Sequence, residues 1–118
     1  MNVIGPLIQF QQQLRIFHWQ TASFAQHKAF GKAYEDLDDM IDTFVETYMG
    51  IFGRSRPNIT FQIHLRSLNS NAVDEVCEQF CDYLRNMDEE IGGHTDLLNI
   101  RDSMLGEVHH LKYRLSLS

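Results

Sequence analysis

Residues 24–49 read FAQHKAFGKAYEDLDDMIDTFVETYM. Phe30, Ala33, Leu37, Ile41, Phe44 and Tyr48 recur at steps of three and four, the spacing that gathers side chains on one helix face. No proline or strong turn signal interrupts the run before Gly50. The stretch predicts a single helix, helix B, of about 26 residues and about 39 Å. Ser23 stands where it can cap that helix. Gly31 is its weak spot, costing about 1 kcal/mol against alanine at an exposed helical position.

The same run carries a second, polar pattern. Asp42 and Glu46 are four apart and share a face, one turn above the other. His27 precedes Asp42 by close to four helical turns and points the same way. His18 lies just before the corner that leads into the helix. Imidazoles and carboxylates on one stripe can bind Fe(II), Mn(II) or Zn(II), with iron favoured where positions stay open for oxygen. The plainer alternative is a solvated acidic face, because Glu35, Asp36, Asp38 and Asp39 crowd the same helix. His27 and Glu46 are about 28 Å apart along the axis, so one ion cannot join them within a chain. An antiparallel pair of helix B segments from two subunits can join them, and its two-fold symmetry gives two sites per dimer.

Working outward, Pro6 suits the first turn of helix A, and Leu7, Phe10, Leu14 and Phe17 carry that helix to about Gln20. Thr21, Ala22 and Ser23 form the corner. Residues 50–70 lose the helical pattern to Gly50, Gly53, Pro57 and several polar residues. Within them Ile59, Phe61, Ile63 and Leu65 alternate with polar residues, which fits a short strand, while Thr60 to Leu68 also fits a short helix. Helix C spans about 71–91, with Asp74 and Glu75 in its first turn and Gly92-Gly93 at its end. Helix D spans about 95–116, capped by Thr95, with Arg101 the polar exception near its apolar stripe. The fold class is all-α: a four-helix bundle of ferritin-like type, with helices at about 6–20, 24–49, 71–91 and 95–116 and a long B–C crossover connection in one domain.

The stretches Leu14-Arg15-Ile16-Phe17-His18-Trp19-Gln20, Phe24-Ala25-Gln26-His27 and Tyr34 to Glu46 resemble the Dps family, small ferritin-like proteins of starved cells. The short chain is similar in form to compact ferritin-like proteins of some bacteriophage genomes. The resemblance implies an inter-subunit ferroxidase centre. His18 and His27 would come from one subunit, and Asp42 and Glu46 from its two-fold partner. It implies Fe(II) as the ion oxidised, usually with peroxide, and storage or detoxification of iron in a hollow dodecamer. Glu35 and Asp38 would form an entry path or a looser second ion position. Where the family usually has an Asp one turn after the helix B histidine, this chain has Gly31, which predicts weaker or slower iron chemistry. A catalytically inactive bundle with a structural or interaction role is the alternative.

Helix D holds a second constellation. Glu107 and His110 have the Glu-x-x-His spacing of di-iron bundles, and an intra-subunit site with His18 and His27 is one reading. The other is a helix C-terminus whose His109, His110, Lys112 and Arg114 complement the dipole. Trp19 reads first as a core or interface anchor with its indole N–H bonded; the Dps resemblance instead implies a Trp beside the metal site that absorbs stray oxidising equivalents.

Composition narrows the partners. Sixteen acids against ten bases give a net charge of −6, which makes nucleic acid an unlikely partner. No apolar run approaches the roughly 20 residues of a membrane span, and the first residues do not form a signal peptide. Cys77 and Cys81, four apart in a helical pattern, read as small core residues in a reducing cytoplasm.

Overall fold

A computed structural model of the chain describes residues 3–54 and 62–117. Among them the architecture is all-α, with four main helices and no strands. They are α1 (Ile4–Gln20), α2 (Phe24–Phe52), α3 (Ala72–Arg85) and α5 (Thr95–Ser116), with one short turn of helix, α4 (Asp88–Ile91), before the last.

The apolar stripes turn inward as their periodicity requires. Leu7, Leu14 and Phe17 of α1, Ala33, Leu37 and Phe44 of α2, Leu84 of α3 and Met104, Val108 and Leu111 of α5 are fully buried in one core. Burying each large side chain is worth about 1.5–3 kcal/mol, far more than helix propensity supplies. Phe10 of α1 stacks on Phe80 of α3 at 4.0 Å, and Phe17 meets Phe30 at 5.6 Å.

Helix directions follow from end contacts. The three-residue corner after α1 folds α2 back along it, and Ser23 Oγ accepts the Gln26 N–H at 3.2 Å as the expected cap. Tyr83, near the end of α3, donates to the carbonyl of Val3 at the start of α1. Phe52 at the end of α2 meets His94, just before α5, edge-on at 5.3 Å. Each of α1 and α5 therefore runs antiparallel to both α2 and α3.

α1 begins at Ile4 and α2 runs on to Phe52, slightly beyond the bounds read from the sequence, and two further features of the helix ends differ in kind. Helix C ends at Arg85 rather than near residue 91, and four residues of it separate as α4. The cause is Arg101, a buried cation on α5. Its Nη1 donates to the Leu84 carbonyl at 2.9 Å and pairs with Asp88, taking up the last turn of α3. Met87 and Ile91 stay buried across the break, so the apolar spacing continues through it. Thr95 does not cap the last helix: His94 holds that position, and the Leu97 N–H is met by the Asp96 carboxylate at 3.0 Å.

Ile59, Thr60 and Phe61, where the strand or short helix was expected to begin, lie outside the described residues. Residues 62–69 are neither helix nor strand. Instead, alternate backbone N–H groups are met by glutamines of α1. His64 donates to Gln9 Oε1 at 2.9 Å and Leu68 to Gln20 Oε1 at 2.6 Å. Gln13 both accepts from Arg66 N at 2.6 Å and donates to its carbonyl at 2.8 Å. Four helical residues rise about 6 Å. Two residues of extended chain rise about 6.6 Å. Gln9 and Gln13 are thus in step with His64 and Arg66, and residues 64–68 follow α1 in its own direction.

Candidate metal-binding face

His18 ends the exposed side of α1 and His27 opens α2, so the corner between them sets the two rings face to face. The ring centroids lie 3.7 Å apart, with planes 18° from parallel. Each ring's Nδ1 reaches the other residue's backbone carbonyl, at 2.7 Å from His18 to His27 and 2.8 Å from His27 to His18. A carbonyl can only accept, so both Nδ1 atoms donate, and in the neutral form of each ring the lone pair lies on Nε2. Metal-ligating histidines have this arrangement, one nitrogen fixed by a carbonyl and the other free to bind. The ion a ring binds lies in that ring's plane. Two stacked, nearly parallel planes do not meet near the Nε2 atoms, so the pair offers two donor directions rather than a chelate for one ion.

Gly31 makes the stacking possible. A Cβ built there would stand 3.0 Å from His18 Cε1 and 3.1 Å from its Nδ1. The glycine is therefore the seat of the His18 ring, and an aspartate in its place would occupy the space the imidazole fills. Beside this seat a hollow of about 240 Å³ opens between α1 and α2, lined by Arg15, His18, Trp19, Gly31, Tyr34 and Glu35. The Arg15 guanidinium lies 4.4 Å over the Tyr34 ring and 5.5 Å from Trp19. Trp19 is 64% exposed, so it is a surface residue and not the core anchor expected of it.

Asp42 and Glu46 stand exposed toward the far end of α2. A shared hydrogen bond with Asp42 and the charge of that carboxylate raise the pKa of Glu46. At about 1.5 Å per residue, His27 and Asp42 are roughly 22 Å apart along the axis. Among the described residues no three His, Cys, Asp or Glu side chains gather to hold a metal ion. One chain thus brings the two imidazoles together and keeps them from the two carboxylates. Asp38 lies between the two groups and accepts from Gln11 Nε2 at 2.8 Å. Glu35 is exposed at the rim of the hollow.

Glu107 and His110 have a different surrounding. Glu107 is buried and faces Arg114 at 3.3 Å, and Arg114 also reaches His110 Nδ1 at 3.2 Å. Burial, together with a hydrogen bond to Asp36 of α2, raises the Glu107 pKa. Burial also pushes Asp36 upward, but its hydrogen bonds to Lys32 and Glu107 outweigh that and leave it lowered. The Glu107 and Asp36 carboxyl groups therefore meet across the α2–α5 contact, with Lys32 and Arg114 close by. Sequence reading did not find this pair, because nothing in their numbering relates Asp36 to Glu107. It also missed Arg15, whose signal was the Arg-x-x-x-Trp spacing on one helix face.

Fold and site together define a four-helix protein with paired imidazoles on its outer α1–α2 face. The family model that matches, over residues 18–115, is described as a family of unknown function, DUF5856. It covers most of the chain, and the chain belongs to that family. The chain is also similar to an uncharacterized 14.6 kDa protein in the mobD-ri intergenic region of Enterobacteria phage T4. The two are 30% identical over 115 residues, which is 97% of this chain and 85% of the phage T4 protein. No solved structure matches. These findings overturn the assignment to the Dps family: the family that matches is another, and no ferritin-like or Dps protein supports the resemblance. The resemblance rested on short stretches within residues 14–46. An antiparallel amphipathic helix pair with an acidic outer face reproduces much of that pattern.

Proposed function

We propose that this chain is a two-fold dimer that binds Fe(II) and oxidises it between subunits. His18 and His27 of one copy and Asp42 and Glu46 of the other would supply the ligands. The observation that carries the reading is the geometry of the imidazole pair: both Nδ1 atoms are bonded to carbonyls, which leaves the Nε2 atoms as the positions for an ion. Two donor directions suit two ferrous ions. Each gives up one electron, so two together reduce one peroxide, with two protons, to two waters. Iron is the substrate here; Zn(II) or Mn(II) would occupy the same ligands as competitors. Ferric product would be stored or detoxified, in the dimer or a larger cage.

The helix order supports the reading. With α2 and α3 parallel and residues 64–68 following α1, the helix order fits a ferritin-type arrangement, the layout in which di-iron carboxylate sites are built. No described helix is long and apolar enough to cross a membrane, and the buried free cysteines suit a reducing cytoplasm.

A second reading is a structural or interaction bundle without metal turnover. It is favoured by the clasp itself, in which the backbone hydrogen bonds of both imidazoles already join the two sides of the corner. Aerobic addition of Fe(II) to purified protein separates the two. Saturable iron binding with ferric absorbance growing faster than in buffer supports oxidation; no binding and no excess rate leaves the structural reading.

A further inference from the structure

The outer α1–α2 groove holds a second hollow, of about 220 Å³, at the end away from His18. On α2 it is lined by Asp38, Ile41, Asp42 and Val45, and on α1 by Ile4 and Ile8. Apart from His18 and Asp38, the linings of the two hollows are evenly spaced about one level. On α2, Glu35 and Ile41, Tyr34 and Asp42, and Gly31 and Val45 stand three, four and seven residues either side of Asp38. On α1, Arg15 and Ile8, and Trp19 and Ile4, are centred between Gln11 and Gln12. The Gln11–Asp38 hydrogen bond joins the two centres. A two-fold axis lying across the helices at that level sets each lining opposite the other in a second copy, the residue matching of an isologous contact.

The chemistry of the hollows is complementary as well. In a chain of net charge −6, Arg15 has no carboxylate partner among the described residues, only the rings of Tyr34 and Trp19. Asp42, at the matching level in the other hollow, has no cationic partner among them. The flat seat at Gly31 stands opposite the Val45 side chain of a second copy, and the exposed indole of Trp19 opposite its Ile4. We infer that this face binds a second copy of the chain, with Arg15 of each copy receiving Asp42 of the other. The inference deepens the proposed dimer and rests on it: a ligand carboxylate held from behind by a guanidinium has its free oxygen aimed. It makes Arg15 a positioning and specificity residue of the interface, and it does not require iron to be present.

The test is the mass of the full chain in EDTA, by light scattering or sedimentation. Wild type is expected as a dimer or a higher even-numbered assembly. R15E and D42R, each shown folded by circular dichroism, should weaken the dimer by about 30-fold or more, since breaking a desolvated charge pair costs at least about 2 kcal/mol. The double variant R15E/D42R should recover most of that loss. Should R15E fail to fold, R15Q replaces it and must weaken the dimer likewise. A monomeric wild type in EDTA overturns the inference, as does a dimer indifferent to R15E or a double variant no better than the singles. A dimer that forms in EDTA yet takes up no iron leaves the inference standing and removes the iron reading. A chain that dimerises only with iron does the reverse.

Discussion

The imidazole of His18 rests on the backbone of Gly31, so close that a Cβ there would stand 3.0 Å from the ring. That contact decides where both histidines sit, because His27 stacks on the other ring and the two exchange hydrogen bonds with each other's carbonyls.

Substituting Gly31 therefore sets two effects against each other. Alanine gains up to about 1 kcal/mol of helix propensity. Against that, the His18 ring must give by a few tenths of an ångström, which weakens two hydrogen bonds worth about 0.5–1.5 kcal/mol each. G31A should be net destabilised by about 1 kcal/mol and G31D by more, read by urea unfolding. Nitrogen NMR of the ring should show the His18 and His27 Nδ1 protons, protected in wild type, exchanging rapidly in both variants.

The Asp36–Glu107 pair sets a pH dependence. Glu107 holds its proton more tightly folded than unfolded, so its contribution to stability is present at low pH and is lost as pH rises through its raised folded pKa. Asp36 behaves oppositely, its contribution lost as pH falls through its lowered value. Glu107→Gln keeps a group that can donate to Asp36 and removes the titration. Urea unfolding across pH 4–7 should show wild type losing, relative to E107Q, stability as pH rises above the ordinary glutamate range of about 4.3. Parallel curves would contradict this.

Cys77 is packed in the core, and burial pushes its thiol up to about 12. At pH 8 it should react with a disulfide reagent only through opening of the fold. Stopped-flow labelling should give a slow phase whose rate follows stability, accelerating in G31D and collapsing to a fast phase in denaturant.

Gln13 holds both polar groups of Arg66. Gln13→Ala leaves them to water and should cost about 1–2 kcal/mol. Hydrogen exchange should speed at the Arg66 amide while the amides in the middle of α2 keep their protection.

These residues show how far a single sequence reaches. The stripe of Phe30, Ala33, Leu37, Ile41, Phe44 and Tyr48 gave α2 directly, because burial on one face and a 3.6-residue period leave no other solution. The cap at Ser23 was equally local. The end of α3 was not, since it depends on Arg101 reaching Leu84 and Asp88 from another helix. The site divided the same way. Helical spacing placed Asp42 over Glu46 and aligned His27 with them, and axial distance alone required a partner. The stacking of His18 on His27, the need for Gly31 beneath them and the isolation of Arg15 come from the corner and from the approach of α1 to α2. No spacing within one helix encodes those contacts.

The central claim is a site divided between subunits, and mixing tests it most directly. His27→Ala and Glu46→Ala, each folded and dimeric, are predicted to take up and oxidise little Fe(II) alone. Co-refolded in equal amounts, they form hybrids in which the Glu46→Ala chain supplies an intact His27 and the His27→Ala chain an intact Glu46. Iron uptake and ferric absorbance should then return, with one working site per hybrid dimer. If the mixture oxidises no more Fe(II) than the separate variants, or either variant alone matches wild type, the shared site is contradicted.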